Sequence, residues 1–340
     1  MERPQVVIGF PMYCSEELVG DALQSLLALE YDNFAIVAID DGSSDSTVEI
    51  ARAYAASDPR LVVEVNVQRL GMIGNWNRVL ARAYELYPDF DYFAWASDND
   101  VREPRWISIL VEALESDRRA ALAYSRFGTL SGGEKVIPDR PKWLFETREL
   151  VDPLRRLRAA TRGMRAGPIM YGLHRRSTLD QAGDVPAVLL SDFVFLSHLS
   201  LYGTFVQVPH VLWFRDLRRV TGSATRRQRA ALFADPPART YLPVSVQHTV
   251  WLFDKLVVRA ERPLGVGRWK ALYVPLFYQV DWGWRLANRP RKRLRKQSRK
   301  LRRRMRRALA LRRRAAMKSP LARSLLATSL GKRLAKRSKR

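Results

Sequence analysis

Five short apolar runs alternate with segments whose apolar residues recur at helical spacing, and that alternation leaves few folds open. The runs are Gln5–Phe10, Phe34–Ile39, Leu61–Asn66, Tyr92–Ala96 and Ala120–Arg126. Each is short and rich in β-prone residues, so each reads as a strand. Between them, Leu18, Ala22, Leu26 and Leu29 share a helical face behind a Ser15 cap, with Glu16 and Glu17 in the first turn. Thr47–Ala56, Asn75–Leu86 and the stretch from Pro104 to Ser116 also read as helices. The order β-α-β-α predicts an α/β fold with a mostly parallel, helix-covered sheet.

In a parallel sheet the C-terminal strand ends gather at one edge, where ligands bind. Tyr13, Asp41, Arg69 and Asp98 stand at those ends. The fourth run stops at Ser97-Asp98-Asn99-Asp100. Two carboxylates one residue apart can hold a hard cation and leave positions for phosphate oxygens. The bland reading is an Asx turn that ends a strand. No Gly-x-Gly-x-x-Gly follows the first strand and no Walker Gly-Lys-Ser/Thr occurs, so ordinary dinucleotide and P-loop sites lack their phosphate loops. The four histidines form no zinc-spaced cluster, and the single Cys14 precludes an intrachain disulfide, which fits a reducing compartment.

The segments Pro11-Met12-Tyr13, Asp40-Asp41-Gly42-Ser43-Ser44-Asp45-Ser46-Thr47, Gly71 with Asn75-Trp76-Asn77-Arg78, and Asp98-Asn99-Asp100 resemble, in order and spacing, the family-two glycosyltransferases. The resemblance covers about the first 130 residues and implies the Rossmann-like GT-A fold and a nucleotide-diphosphate sugar donor. It implies that Pro11 and Tyr13 line the base and ribose pocket and that Asp41 accepts from a base edge. Arg69, with Arg78 as second choice, would face the diphosphate. Asp98 would hold ribose or a metal-bound water, and Asp98 and Asp100 a divalent metal, Mg²⁺ or Mn²⁺. Cys14-Ser15 stands where many relatives have Asn. Asp40 and Asp45 are expected to serve as turn or cap residues before Asp41 does.

Beyond residue 130 the pattern loosens. Leu130–Ile137 reads as a hairpin, Val151–Arg162 as a helix, and Gly167–Leu173 as a strand, which the resemblance implies lies beneath the acceptor. Leu189–Phe195 opens a helix in which Asp192 follows Ser191. By the resemblance Asp192 is the catalytic base that takes the acceptor hydroxyl's proton, giving inversion. Its competing role is a first-turn partner of the helix dipole behind a Ser191 cap. Thr204–Phe214 is a further strand, and Arg215 after it is the best candidate in a basic lid, with solvated charge the safer reading of these residues. Ala224–Ala234, Tyr241–Ala260 and Gly267–Ala287 read as helices. The aromatics of the last two are expected to pack as a helical hairpin, with a membrane interface as the other reading.

The formal net charge of +25 is unevenly placed. Residues 289–340 hold 24 of the 59 Lys and Arg and no Asp or Glu, so residues 1–288 set 35 basic against 34 acidic groups. Charge-driven partners therefore belong to that tail. Leu294, Leu301, Met305 and Leu309 fall near one helical face of it, as in a helix lying on an anionic membrane. Nucleic acid is the rival partner, and a disordered, solvated tail the third reading. The expected layout is a glycosyltransferase domain over 1–222, with 1–130 binding the donor and 131–222 the acceptor side. An aromatic helical extension over 223–288 and the tail over 289–340 follow.

The expected function is sugar transfer to a hydroxyl acceptor in surface polysaccharide, glycolipid or glycan assembly. No secretory leader or spanning segment is expected, and the location would be cytoplasmic, peripheral on the inner membrane face. A nucleotidyltransferase of similar fold and a non-enzymatic nucleic-acid-binding protein are the alternatives. The first lacks a basic, Gly-rich phosphate loop. The second has its charge in the tail and acidic residues at the strand ends.

Overall fold

The computed structural model describes residues 3–131, 133–138, 144–216, 225–261 and 266–288. In chain order the strands are β1 (Val6–Met12), β2 (Phe34–Asp40), β3 (Leu61–Val65), β4 (Tyr92–Trp95), β5 (Asp100–Arg102), β6 (Ala120–Ser131), β7 (Glu134–Val136), β8 (Leu173–Arg175) and β9 (Thr204–Asp216). The helices of the first half are α1 (Val19–Leu27), α2 (Thr47–Ala55), α3 (Gly71–Leu86) and α4 (Trp106–Glu115). Those of the second are α5 (Pro153–Gly163), α6 (Ala166–Met170), α7 (Arg176–Ala182), α8 (Ser191–Leu199), α9 (Thr225–Leu232) and α10 (Val244–Phe253). A last helix, α11, runs over 268–282 to the end of the first compact unit, residues 1–282. Of the second unit, 283–340, only 283–288 are described, and they are helical. The tail and its predicted amphipathic helix lie outside the described residues.

The sheet order is β3-β2-β1-β4-β8-β6-β9-β5, with β7 hairpinned onto β6. β1, β2, β3, β4, β6 and β9 point one way and β5, β7 and β8 the other. This is the predicted mostly parallel α/β sheet. Strand alternation splits each strand between two cores. Val7, Phe93 and Trp95 join the core under α3, α6, α8, α10 and α11. Val6, Ile8 and Ala94 join the core under α1 and α4. Nearly continuous apolar strands follow from burial on both faces.

Four sequence expectations change. The strand expected at Gly167–Leu173 is instead the short α6 followed by β8. Pro168 sits in the first turn of α6, where a missing N–H costs nothing. The helix expected from Ser15 starts at Val19, and Ser15 turns its hydroxyl to Asp98. Helix α3 starts at Gly71, not Asn75, because Asp41, thirty residues away, satisfies its first amides. Ser191 does not cap α8; the cap position is Leu190, without a side-chain bond.

His174, His198 and His248 are fully buried. His174 is edge-on to Trp95, and the His248 Nδ1 lies 2.6 Å from the Tyr278 hydroxyl. Burial pushes them down to about 4, about 3 and about 4. A depressed histidine binds its proton in the unfolded chain first. Stability is therefore complete above pH ~6.5 and falls as pH drops through that value toward pH 4. Each histidine contributes a slope of up to ~1.4 kcal/mol per pH unit. His174→Phe, stacked in the same aromatic setting, is expected to flatten urea-derived stability against pH between 6 and 4.5 by about one proton. An unchanged slope would show that His174 does not titrate this way.

Candidate functional site

The strand order reverses at β1: β2 and β3 lie to one side and β4 to the other. Ligands of open α/β sheets bind at such a switch point, beyond the C-terminal strand ends. β1 and β4 pair only as far as Gly9 with Trp95, and β1 runs on along β2 to Met12. Pro11, with no N–H to donate, lies in the stretch where β4 has already parted. The loops after β1, β2 and β4 therefore face a common crevice.

Hydrogen bonds stitch these loops together. The Asp41 amide donates to the Met12 carbonyl at 2.9 Å. The Cys14 amide donates to Ser43 Oγ at 2.7 Å, and the Ser15 amide to Thr47 Oγ1 at 2.6 Å. Across the crevice, the Tyr13 amide and the Ser15 hydroxyl both donate to Asp98 Oδ2. Cys14 has φ 48°, in the left-handed region that Asn tolerates best among residues with a side chain beyond Cβ. That is a physical reason for Asn to be common there, and Cys14 holds the turn at a conformational cost.

Asp41 is 3% exposed. Its Oδ1 accepts from the Leu70 amide at 2.7 Å and Asn66 Nδ2 at 3.1 Å, and its Oδ2 from the Gly71 amide at 2.8 Å. It therefore caps α3 from a distance, a role expected of Asp40 and Asp45 rather than of it. Asp40 does close its own turn onto Gly42 and Ser43, and Asp45 accepts from Thr47. Arg69 lies beside Asp41, with Nε 3.9 Å from Oδ2, and its guanidinium sits 4.6 Å from the centre of the Tyr13 ring. Its Nη2 donates to the Ala230 carbonyl of α9, so the end of that helix closes over this side. Tyr13 is 39% exposed, which leaves ring surface for a ligand. Arg78, the second choice, instead reaches Glu64 and Glu85.

Asp100 is buried in β5, and its Oδ1 has no hydrogen-bond partner. Burial pushes this carboxyl up to about 6, against the pull of Arg102 and Arg215. Arg102 shares the strand face with it, Nη1 3.9 Å from Asp100 Oδ2. The guanidinium of Arg102 is wholly buried without hydrogen bonds, facing the rings of Trp106 at 4.8 Å and Trp213 at 4.9 Å. Sequence reasoning missed Arg102. Its i, i+2 relation to Asp100 on a strand was the available signal. Among the described residues no group of three His, Cys, Asp or Glu side chains forms a protein cage for a metal. A pair of carboxylates, one with an orphaned buried oxygen, does fit a hard divalent cation that takes its other ligands from a diphosphate.

Asp192 comes from another quarter, the first turn of α8. The residue before that helix, Leu190, has φ 54°, a left-handed geometry rare for a bulky side chain and common near functional sites. Asp192 Oδ1 accepts from the Phe193 amide at 2.8 Å, and Oδ2 lies 4.0 Å from the position of a Cβ on Gly167 in α6. Burial raises its pKa. The structure thus brings Tyr13, Asp41, Arg69 and Asp98 into one set of direct contacts, and Asp192 stands against α6 outside that set.

A cavity of ≈ 430 Å³ opens beside α6 and along β6, lined by Arg126, Phe127, Thr129, Phe145, Arg165 and Pro168 among others, with no Asp or Glu among the described residues of its wall. The β6–β9 register shifts on both sides of Arg126, an irregularity that re-aims side chains. Thr129 and Asp100 are register partners of the same residue, Arg215, on opposite sides of β9. Their backbones are therefore about 10 Å apart, two strand spacings.

Residues 7–167 match the model of glycosyl transferase family 2. A putative glycosyltransferase of Bacillus subtilis (strain 168), EpsE, is 27% identical over 146 residues, which is 41% of this chain and 50% of EpsE. The chain thus spans half the length of that relative. An uncharacterized glycosyltransferase of Haemophilus influenzae is 28% identical over 114 residues, 34% of either chain. Among solved structures, S. aureus TarS 1-349 in complex with UDP-GlcNAc superposes with TM-score 0.53 at 14% identity, over 74% of this chain and 67% of that one. The mannosyltransferase PcManGT from Pyrobaculum calidifontis, in complex with GDP-Man and Mn²⁺, superposes with TM-score 0.51 at 17% identity, over 98% and 81%. At such identities these two likenesses establish the fold.

Proposed function

We propose, from the match of residues 7–167 to glycosyl transferase family 2, that this chain moves a sugar from a nucleoside-diphosphate donor to a hydroxyl acceptor with inversion. The observation that carries this reading is the meeting of Tyr13, Arg69, Asp41 and Asp98 at the switch point of the sheet. Pro11 and the open Tyr13 ring take the base and ribose. Asp41, tied to the α3 amides, presents what remains of its acceptor capacity to the base edge and holds Arg69 toward the diphosphate. Asp98 takes ribose or a metal-bound water.

Asp98 and Asp100 would hold a divalent cation, Mg²⁺ or Mn²⁺, which when bound neutralises the leaving diphosphate. Asp192 accepts the proton of the acceptor hydroxyl, and the hydroxyl attacks opposite the departing diphosphate. The acceptor occupies the cavity along β6, where the apolar walls carry its body and Arg126 and Arg165 favour an anionic group. The setting is assembly of a surface polysaccharide, glycolipid or glycan at the inner membrane face. There the basic residues of 289–340 meet anionic lipid, with nucleic acid as the weaker alternative.

Thermal-shift measurement with UDP- and GDP-sugars, with and without Mn²⁺, tests the core of this. One donor is expected to raise the midpoint in the presence of Mn²⁺, and Asp100→Ala is expected to remove the metal-dependent part. A fully folded protein indifferent to every donor and to Mn²⁺ would sink the reading.

A further inference from the structure

Helix α11 is apolar on both sides. Its inward positions Ala271, Val274, Tyr278 and Trp282 are buried, and Tyr278 and Trp282 pack around His248 of α10. This half fulfils the expected helical hairpin. The outward positions are also apolar: Trp269 at 75% exposure, Leu276 at 58% and Phe277 at 52%, with Leu272 and Tyr273 between them and Val280 beyond. They follow the i, i+3, i+4, i+7 pattern of one helical stripe.

Helix α10 lies alongside, because Gln279 Nε2 donates to the Ser245 carbonyl at 2.9 Å and to Thr249 Oγ1 at 2.5 Å. It adds Val246, Val250 and Phe253, exposed at i, i+4 and i+7. Single exposed apolar residues are ordinary, but a stripe shared by two neighbouring helices needs an occupant.

The chemistry of the surroundings selects that occupant. Trp269, Tyr273 and Phe277 form an aromatic row, and Trp and Tyr favour the boundary between headgroups and acyl chains. The acids of these helices are engaged: Asp281 by Arg162 at 2.6 Å and Asp254 by Arg259 at 2.8 Å. The chain after them, residues 289–340, carries 24 basic side chains and no acidic one. No described helix is long and apolar enough to cross a membrane. We propose that the outward faces of α10 and α11 insert shallowly into the interfacial layer of an anionic bilayer. This apolar contact is separate from the tail's electrostatic attraction and does not depend on the proposed transfer reaction.

The test uses the full chain and sedimentation with phosphatidylcholine vesicles with and without phosphatidylglycerol. Trp269→Ser, Leu276→Gln and Phe277→Ser are introduced together. All three side chains point outward, so the circular dichroism spectrum and thermal midpoint are expected to stay unchanged. Affinity for phosphatidylglycerol vesicles is expected to fall at least ~10-fold. At ~0.5 M salt, where the tail's attraction is screened, the parent protein stays partly bound and the triple variant does not. Brominated lipid is expected to quench Trp269 emission in the parent. Donor hydrolysis by the triple variant reads the proposed transfer site independently. Equal sedimentation of the two proteins at both salts overturns the proposal. So does a parent dimer that the triple variant dissolves while vesicle binding is untouched, since a second copy of the chain would then be the occupant.

Discussion

Replacing Asp192 with asparagine is expected to lower kcat for sugar transfer by about 10²–10⁴-fold while leaving the thermal midpoint at neutral pH unchanged or raised. The rate loss follows from the proposed proton transfer, because an amide cannot take the acceptor's proton. The stability outcome follows from burial. A carboxylate whose folded pKa is raised favours its protonated form in the native state. The native state is therefore penalised above that folded value, and the penalty is absent below the ordinary value of ~3.9. Asparagine removes the penalty and keeps an oxygen for the Phe193 amide. The same shift sets the acid limb of kcat/KM: activity falls as pH drops through the raised Asp192 value, above the usual carboxylate range. The variant's residual rate is expected to lack that limb. Normal turnover with a lower melting point would instead make Asp192 a helix-dipole residue and leave the proposed base unassigned.

The parts of this molecule that local pattern encodes were legible in the sequence. Tyr92–Ala96 reads as a buried strand because a short, continuous, β-prone apolar run can be covered on both faces, and Asp98 then falls at a strand end by counting. What was not legible depends on contacts distant in sequence. Asp41 looks like a ligand residue in its own segment, and only the fold brings Leu70 and Gly71 to it, so both its capping role and the true start of α3 were hidden. Arg102 carries no local sign that Trp106 and Trp213 enclose it. Gly167 and Pro168 read as the start of a strand, whereas proline also suits a helix's first turn. For the aromatics of α11 the sequence offered a packed hairpin or a membrane interface as rivals, and their helical spacing instead divides them between a buried and an exposed stripe.

Gly71→Ala is expected to disable donor binding, and pairing it with Gly42→Ala separates the reasons. Both glycines have φ of 78°, where an L side chain costs about 1–2 kcal/mol. Around Gly42 a Cβ meets nothing within 4 Å, so Gly42→Ala should lose only that amount. At Gly71 a Cβ would lie 2.6 Å from the Ala234 nitrogen and 2.6 Å from the Phe233 Cα. Backbone atoms cannot rotate out of the way, so the segment after α9 must lift off the start of α3. Phe233 is buried in the core beneath it, and its displacement adds the cost of a loosened core. The total expected loss is about 3–5 kcal/mol by urea denaturation. Lifting that segment also pulls on the end of α9, whose Ala230 carbonyl meets Arg69, and shifts the Leu70 and Gly71 amides that hold Asp41. In whatever fraction remains folded, donor affinity is expected to fall at least ~10-fold, the size of one lost charge-assisted contact. Gly42→Ala, whose neighbour Asp40 still closes its turn, should keep donor affinity. Equal losses for the two variants would mean that the segment after α9 does not brace the donor side, and the extension would then be independent of the site.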